Sequence, residues 1–542
     1  CASYILLDSL LFWLTSGGQM DRIGKTVNAP RRLVAWVCLF LMLGPMGAAC
    51  GQKSPEVERK GYTVRFDCRG GEPEIPPRVV YGPFGAPDVC PTKEGCLFVC
   101  WETEDGEPYR FGYAIDADIT LYARWAEAVA VTLKDNRDPG ESREMQVVRG
   151  ERMPEPEWIP ASPAGCTFGG WHVDPACTAP FDFDQPVTGP LTLYASYSRD
   201  ICLIDQGMVA RVTGRSLEEE RHLPNPNQTD VRWGLGGTDL GIIWEIAPGR
   251  YGLFFGDSYG PDFVPVAGGG PGPAGDWRSN VLAYSEDSDL SDGLTFSGMA
   301  ADPNNAGRAR EIIPRENYRL FTSIPTAAIA LDGVQYVHYM YWQVGTDFDP
   351  LNYSSIYRSL DNGATWESCR DRIEFDENSN FGMVGYATRE GDPYCYMMGT
   401  HIGRSRSAYL ARFRYGDILD RSAYEYWNGT TRRWVQGDER EATVVLNGTV
   451  GELSVMWLEK HRRWIVLYFD QEKYAICYRS AARINGEWSE ERILVSGADY
   501  PQLYGSYIHP ASAGSDDLYY TMSEWVPYNV FLMRTSIRCA ED

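Results

Sequence analysis

The chain has 542 residues, a formal net charge of −24, 44% hydrophobic residues and 23% charged residues. It is too long for one ordinary core, globular rather than disordered in composition, and too acidic for a nucleic-acid binder, which needs a basic face to neutralise phosphates. The 17 Trp, 33 Tyr and 20 Phe, set among 55 Gly and many short apolar runs, favour an all-β architecture.

The N-terminal segment carries an export pattern. The chain begins with Cys1, and translation is expected from Met20, which makes residues 1–19 an extension outside the translated protein. Arg31-Arg32, the apolar run from Leu33 to Leu43 and the small residues Gly47-Ala48-Ala49 make residues 20–50 a secretory signal, too short and wrongly flanked for a membrane span. Cys50 resembles the lipidated cysteine of bacterial lipoproteins, with Gly47 where leucine is usual. Residues 51–60 then read as a polar tether. The expected location is extracellular, either anchored to the cell surface by lipid or secreted. In that compartment, Cys68, Cys90, Cys96 and Cys100 in one segment and Cys166 and Cys177 in the next read as disulfides, with connectivity open. Cys202 and Cys539 bracket the C-terminal domain and are placed to staple its first and last strands or to stay as buried thiols.

Residues 61–126 and 127–198 are similar to each other. The first holds YTVRFDCRGG and DITLYARW, the second AVTLKDNRDPG and PLTLYASY, with Trp101 matching Trp171 and Tyr122 matching Tyr194. A period near 70 residues marks duplicated small domains. They resemble the internalin-type B repeat of bacterial surface proteins, which implies small β-grasp-like spacers. Their aromatics read as core, and no acid pair or nucleophile lies among them.

From residue 199 to 542 the pattern changes. Five times the chain runs apolar strand, turn, strand, loop, strand, with first strands at 238–246, 325–333, 382–391, 452–460 and 506–514. Each period holds a few strands and no helical periodicity, which predicts a five-bladed β-propeller. The run from Ser359 to Trp366 (SLDNGATW) matches the Asp-box hairpin of propellers. There Asp361 caps a turn, so it is not a catalytic candidate.

Chemistry in a propeller gathers at one mouth of the central channel. Asp239 opens the innermost strand of the first blade and Asp257 ends the strand after it, so both fall at the same rim. A hairpin centred on Pro248 sets 239 opposite 257, whereas a two-residue turn at Pro248-Gly249 breaks that pairing. Two close carboxylates can serve glycosidic cleavage, one protonated and one ionised. They can equally be turn caps beside Gly236, Gly237 and Gly256. Further rim candidates for substrate are Trp233, Asn280, Glu452, Tyr507, His509, Glu524 and Trp525. Trp233 and Trp525 suit sugar stacking, Asn280 and His509 suit hydroxyls, and Glu452 and Glu524 are reserve acids.

The stretches GLGGTDLG (234–241), FFGDS (254–258), GELSVMW (451–457), YGSYIHP (504–510) and SEW (523–525) resemble the five-bladed endo-D-arabinanases of glycoside hydrolase family 183 across about 200–542. The resemblance implies endo-cleavage of the α-linked D-arabinofuranose chains of mycobacterial arabinogalactan and lipoarabinomannan. It carries the family's catalytic aspartate pair onto Asp239 and Asp257. Separately from that resemblance, no cofactor is expected, the expected partner is a polysaccharide, and the chain is expected to be a monomer. Six histidines without an H-E-x-x-H motif argue against catalytic zinc. A sialidase would need an arginine triad that cannot be placed. The alternatives are a glycosidase for another furanoside and a non-catalytic surface propeller that binds carbohydrate.

Overall fold

The computed structural model describes residues 60–264, 275–315, 321–343 and 352–539. The signal, the lipidation candidate Cys50 and nearly all of the tether lie outside the described residues. Among the described residues no helix is long and apolar enough to cross a membrane.

Residues 62–199 form one seven-stranded sheet built twice from the same plan. Strand Tyr62–Asp67 runs parallel to the first half of Ile119–Lys134, and the second half of that strand runs parallel to Leu191–Arg199. The two repeats thus share one continuous 16-residue strand, which the boundary at 126/127 falls inside. Trp101 and Trp171 are buried at the centres of two small apolar cores. The described part of the repeats contains no helix.

The remainder is a ring of five antiparallel blades. Blade 1 holds strands Leu240–Ala247, Arg250–Phe255, Val281–Ser285 and Gly298–Met299, from the inside outward. Blade 2 begins at Phe321–Leu331, blade 3 at Met383–Ala387, blade 4 in Val444–Leu458 and blade 5 at Leu503–Ile508. Each innermost strand touches that of the next blade, and blade 5 touches blade 1, so the ring is closed. Closure is sealed by strand Ile201–Arg211. The first strand after the repeats, it pairs with the last described strand, Asn529–Cys539, as the outer edge of blade 5. Blades 3 and 4 are linked in one sheet because the start of Val444–Leu458 pairs with Arg406–Arg414 before turning inward.

Strand order follows from composition. The inner strands are rich in small and apolar residues because neighbouring blades crowd there, and their alternating faces fill the space between sheets. The Asp-box hairpin closes as its sequence dictates: Thr365 N donates to Asp361 Oδ1 at 2.8 Å, Gly363 N to Ser359 Oγ at 2.8 Å, and the Trp366 ring packs against Phe254. Asp361 is spent on that turn.

The cysteines differ from expectation. All eleven in the described residues are free thiols. Cys202 faces Arg538 across the ladder and Cys539 faces Ile201. One residue of offset puts the two side chains on opposite faces of the sheet, so the proposed staple is excluded by register. Repeats and propeller are joined by hydrogen bonds and an ion pair. The Arg463 guanidinium, almost fully buried, donates to the carbonyls of Ser198 and Arg199, to Thr167 Oγ1 and to Asp200 Oδ1 at 2.7–3.0 Å.

Candidate active site

The hairpin that carries the two aspartates is less regular than either register considered from sequence. The two-residue turn Pro248-Gly249 does form, with Gly249 at φ +72° and Ala247 opposite Arg250. A bulge then restores the other register, and Leu253 faces Ile243. A second bulge at Gly241 shifts the pairing again, setting Leu240 opposite Phe255. Beyond it, Gly237 bridges Tyr259 and the Thr238 and Ser258 hydroxyls meet at 2.8 Å. Asp239 and Asp257 therefore sit inside an irregularity instead of as a directly opposed ladder pair. Gly256 N donates to the Asp239 carbonyl at 3.2 Å.

Two backbone features set Asp239. Leu240 lies at φ +70° and Gly241 at φ +80°, a left-handed pair that bends the strand where it meets the rim. For leucine that conformation costs on the order of 1–2 kcal/mol, and the packing of its buried side chain holds it there. Gly256 supplies the room: a Cβ there would lie 2.3 Å from Asp239 Oδ1. The glycines near the acids thus make space for a carboxyl group rather than forming a turn that the acids cap.

Asp239 and Asp257 are both half-buried, so each keeps contact with solvent while packed deeply enough for desolvation to dominate. Asp239 Oδ2 accepts from the Tyr504 hydroxyl at 3.0 Å, and Oδ1 is buried without a partner. Burial, then the Asp257 charge, push the Asp239 pKa up to about 8 against the opposing effect of the Tyr504 and Tyr528 hydroxyls. Asp257 Oδ1 accepts from Thr322 Oγ1 at 2.6 Å and Trp277 Nε1 at 3.0 Å. Burial raises Asp257 too, but only to about 6, because those donors and the nearby Arg315 favour its charged form. The pair is thus split, with one acid neutral and one ionised near neutrality. Next to Leu240 a small space of about 20 Å³ is lined mostly by apolar side chains, Met340, Met383 and Leu453 among them, with Glu452 and Tyr507 as its polar members.

The other sequence candidates divide. Glu452 and Tyr507 line that space, and the Glu452 charge reaches Asp239. Glu452 Oε1 is held by Arg404 Nε at 3.0 Å, while Oε2 is buried and unpaired. Trp525 is 41% exposed and packs edge-on against Tyr504 and Tyr528 beside Asp239. Four candidates lie elsewhere. Asn280 is fully buried and spent on backbone, donating to the carbonyls of Ile313 and Ser323 and accepting from the Ile312 and Ile313 amides. His509 is 1% exposed, caps a short 3₁₀ turn through Ala511 N and packs on Tyr251, at the opposite end of its strand from Asp257. Trp233 is buried against Phe296. Glu524 faces Glu220 and Arg211 in a separate depression.

Sequence reasoning missed Tyr504, Tyr528, Thr322, Trp277 and Arg404. Tyr504 opens the stretch YGSYIHP, and Thr322 lies at the start of the second inner strand, so rim position could have flagged both. Nothing local marks Trp277 or Arg404. Asp470, Cys477 and Glu491 cluster within metal-ligand distance, but the Lys473 ammonium pairs with both carboxylates and supplies the cation.

Residues 224–534 match the family described as "Domain of unknown function (DUF4185)". The chain belongs to it. Residues 62–124 and 131–196 each match the Listeria-Bacteroides repeat domain. Notoamide biosynthesis cluster protein J' of Aspergillus versicolor is 27% identical over 327 residues, covering 58% of this chain and 87% of that protein. Protein J of an Aspergillus strain is 28% identical over 344 residues, covering 59% and 86%. Among solved structures, an arabinanase of Bacillus subtilis aligns over 56% of this chain and 96% of its own at 10% identity and a TM-score of 0.34. A family 117 glycoside hydrolase of Zobellia galactanivorans aligns over 62% and 92% at 12% and 0.36. At such values these two likenesses say nothing of chemistry, which has to come from the site of this DUF4185 chain itself.

Proposed function

We propose that the propeller is a glycoside hydrolase that cuts within D-arabinofuranose polymers, displayed at the cell surface by the repeats and an N-terminal lipid anchor. The observation that carries the hydrolase reading is the split acid pair at one solvent-reachable rim, Asp239 raised to about 8 and Asp257 to about 6. Asp239 gives its proton to the leaving glycosidic oxygen. Asp257, ionised and held by Thr322 and Trp277, attacks the anomeric carbon or activates water as charge develops on the ring. The substrate class comes from the resemblance to family 183, and a shared fold by itself fixes no substrate.

The test is to incubate the purified chain with mycobacterial arabinogalactan and follow soluble oligosaccharides. Release that disappears in Asp239→Asn and in Asp257→Asn, with both variants folded, supports the assignment. Unchanged release in either variant rejects that residue. Binding of the glycan without turnover would make the propeller an adhesin.

A further inference from the structure

Beside Asp239, on the blade 5 side, lies an open trough of about 230 Å³ lined by Arg404, Tyr474, Leu503, Tyr504 and Trp525. Two of its aromatics are unusually bare: Trp525 is 41% and Tyr474 42% exposed. Large exposed aromatics cost apolar surface in water unless a ligand covers them. Tyr504 joins trough to acid, since its ring forms the wall while its hydroxyl donates to Asp239 Oδ2. Arg404 lies over the rings of Phe469 and Tyr504, 5.1 and 5.2 Å from their centroids, and Phe469 packs edge-on against Tyr474.

The charge of Arg404 is already balanced. Its Nε and Nη2 both point at Glu452 Oε1, and its side chain remains 36% exposed. A guanidinium neutralised on one edge still offers donors on the other, without the net charge that would demand an anion. The trough therefore presents two aromatic faces and a neutralised donor group, the chemistry that recognises an uncharged sugar ring with several hydroxyls.

We propose that the Arg404–Tyr474–Trp525 trough is the subsite for the sugar on the leaving-group side of the scissile bond, taking a neutral glycosyl unit of a longer chain. This rests on Asp239 acting as the acid, because the proton donor stands beside the oxygen that departs. The trough makes the enzyme depend on at least one sugar beyond the cleaved linkage, and so favours polymer over small glycosides.

The experiment compares arabinogalactan with the 4-nitrophenyl α-D-arabinofuranoside, whose leaving group has no sugar, in the full chain. In Tyr474→Ala and Trp525→Ala the ratio of polymer to aryl-glycoside kcat/KM is expected to fall about tenfold each, the scale of one lost ring contact. The polymer loss should sit mainly in KM, and Tyr474→Phe should restore it. Binding is read separately by calorimetry with a linear arabinofuranose hexasaccharide in the Asp257→Asn background, where Tyr474→Ala should weaken affinity by a similar factor. An unchanged ratio together with unchanged hexasaccharide affinity overturns the subsite. A wild-type chain that binds the hexasaccharide, loses that binding in Tyr474→Ala and hydrolyses neither substrate overturns the hydrolase reading while leaving the trough as a glycan site.

Discussion

The Tyr504 hydroxyl donates to Asp239 Oδ2 at 3.0 Å across 265 residues of sequence. That bond crosses the closure of the ring, from the inner strand of blade 5 to the start of blade 1. It favours the charged form of Asp239, against burial and the Asp257 charge. In Tyr504→Phe the Asp239 pKa should rise above about 8, moving the alkaline limb of kcat/KM to higher pH. A limb that stays put would show that Asp239 is not the group titrating there.

On the proposed roles, the acidic limb is expected to be that of Asp257. Activity should rise as pH passes about 6 and fall as it passes about 8, with both limbs macroscopic properties of the coupled pair. Thr322 and Trp277 favour the Asp257 carboxylate. Thr322→Val should therefore shift the acidic limb upward and leave the alkaline limb nearly in place. The kcat/KM profile of the two variants, measured together, separates the roles.

Asp239 also predicts a stability signature. Its pKa is near 3.8 in the unfolded chain and about 8 when folded, so between these values the folded form binds more protons. Stability should fall as pH rises through that window and level off above it. Asp239→Asn removes the penalty, so the variant should match wild type near pH 4 and exceed it in Tm near pH 8, while losing at least about 100-fold in kcat. Thermal melts at the two pH values check the sign.

Gly256 is a steric requirement. A methyl group there would stand 2.3 Å from Asp239 Oδ1, with Leu240 Cδ1 at 3.1 Å. Gly256→Ala should displace the Asp239 carboxyl and cut kcat by at least about 100-fold, as loss of general acid catalysis would. Full activity in this variant would mean that Asp239 is free to move.

Arg463 ties the second repeat to blade 4. Removing it leaves Asp200, 13% exposed, without its partner. Breaking such a buried pair from one side costs about 3–5 kcal/mol. Arg463→Ala should separate the melting of repeats from that of the propeller and open a protease-sensitive site near residues 198–200, which calorimetry and limited proteolysis would register.

Much of this architecture is legible in the sequence because each blade repeats a local pattern. The inner strands, the Asp-box turn and the rim position of Asp239 and Asp257 follow from apolar spacing and turn residues within a few dozen positions. What escapes is contact made by closure. Tyr504 meets Asp239 only because blade 5 returns to blade 1, and Glu452 meets Arg404 across the step from blade 3 to blade 4. The bulges at Ile246 and Gly241 escape too, since two registers competed and the chain uses both in succession. Asn280 and His509 mislead because polar residues near a rim serve backbone carbonyls and caps as readily as ligands.

Sealing the ring with its first strand has a price in time. Strand Ile201–Arg211 emerges early but finds its mate, Asn529–Cys539, only after the other four blades have been made. At ribosomal speeds of about 10 residues per second, it waits roughly half a minute with a bare hydrogen-bonding edge. The repeats, whose sheet is complete by residue 199, can fold within that interval, and they leave a finished module beside an unfinished blade. Nascent chains arrested short of residue 529 should for that reason be prone to clump edge to edge, while those extended past residue 539 should not.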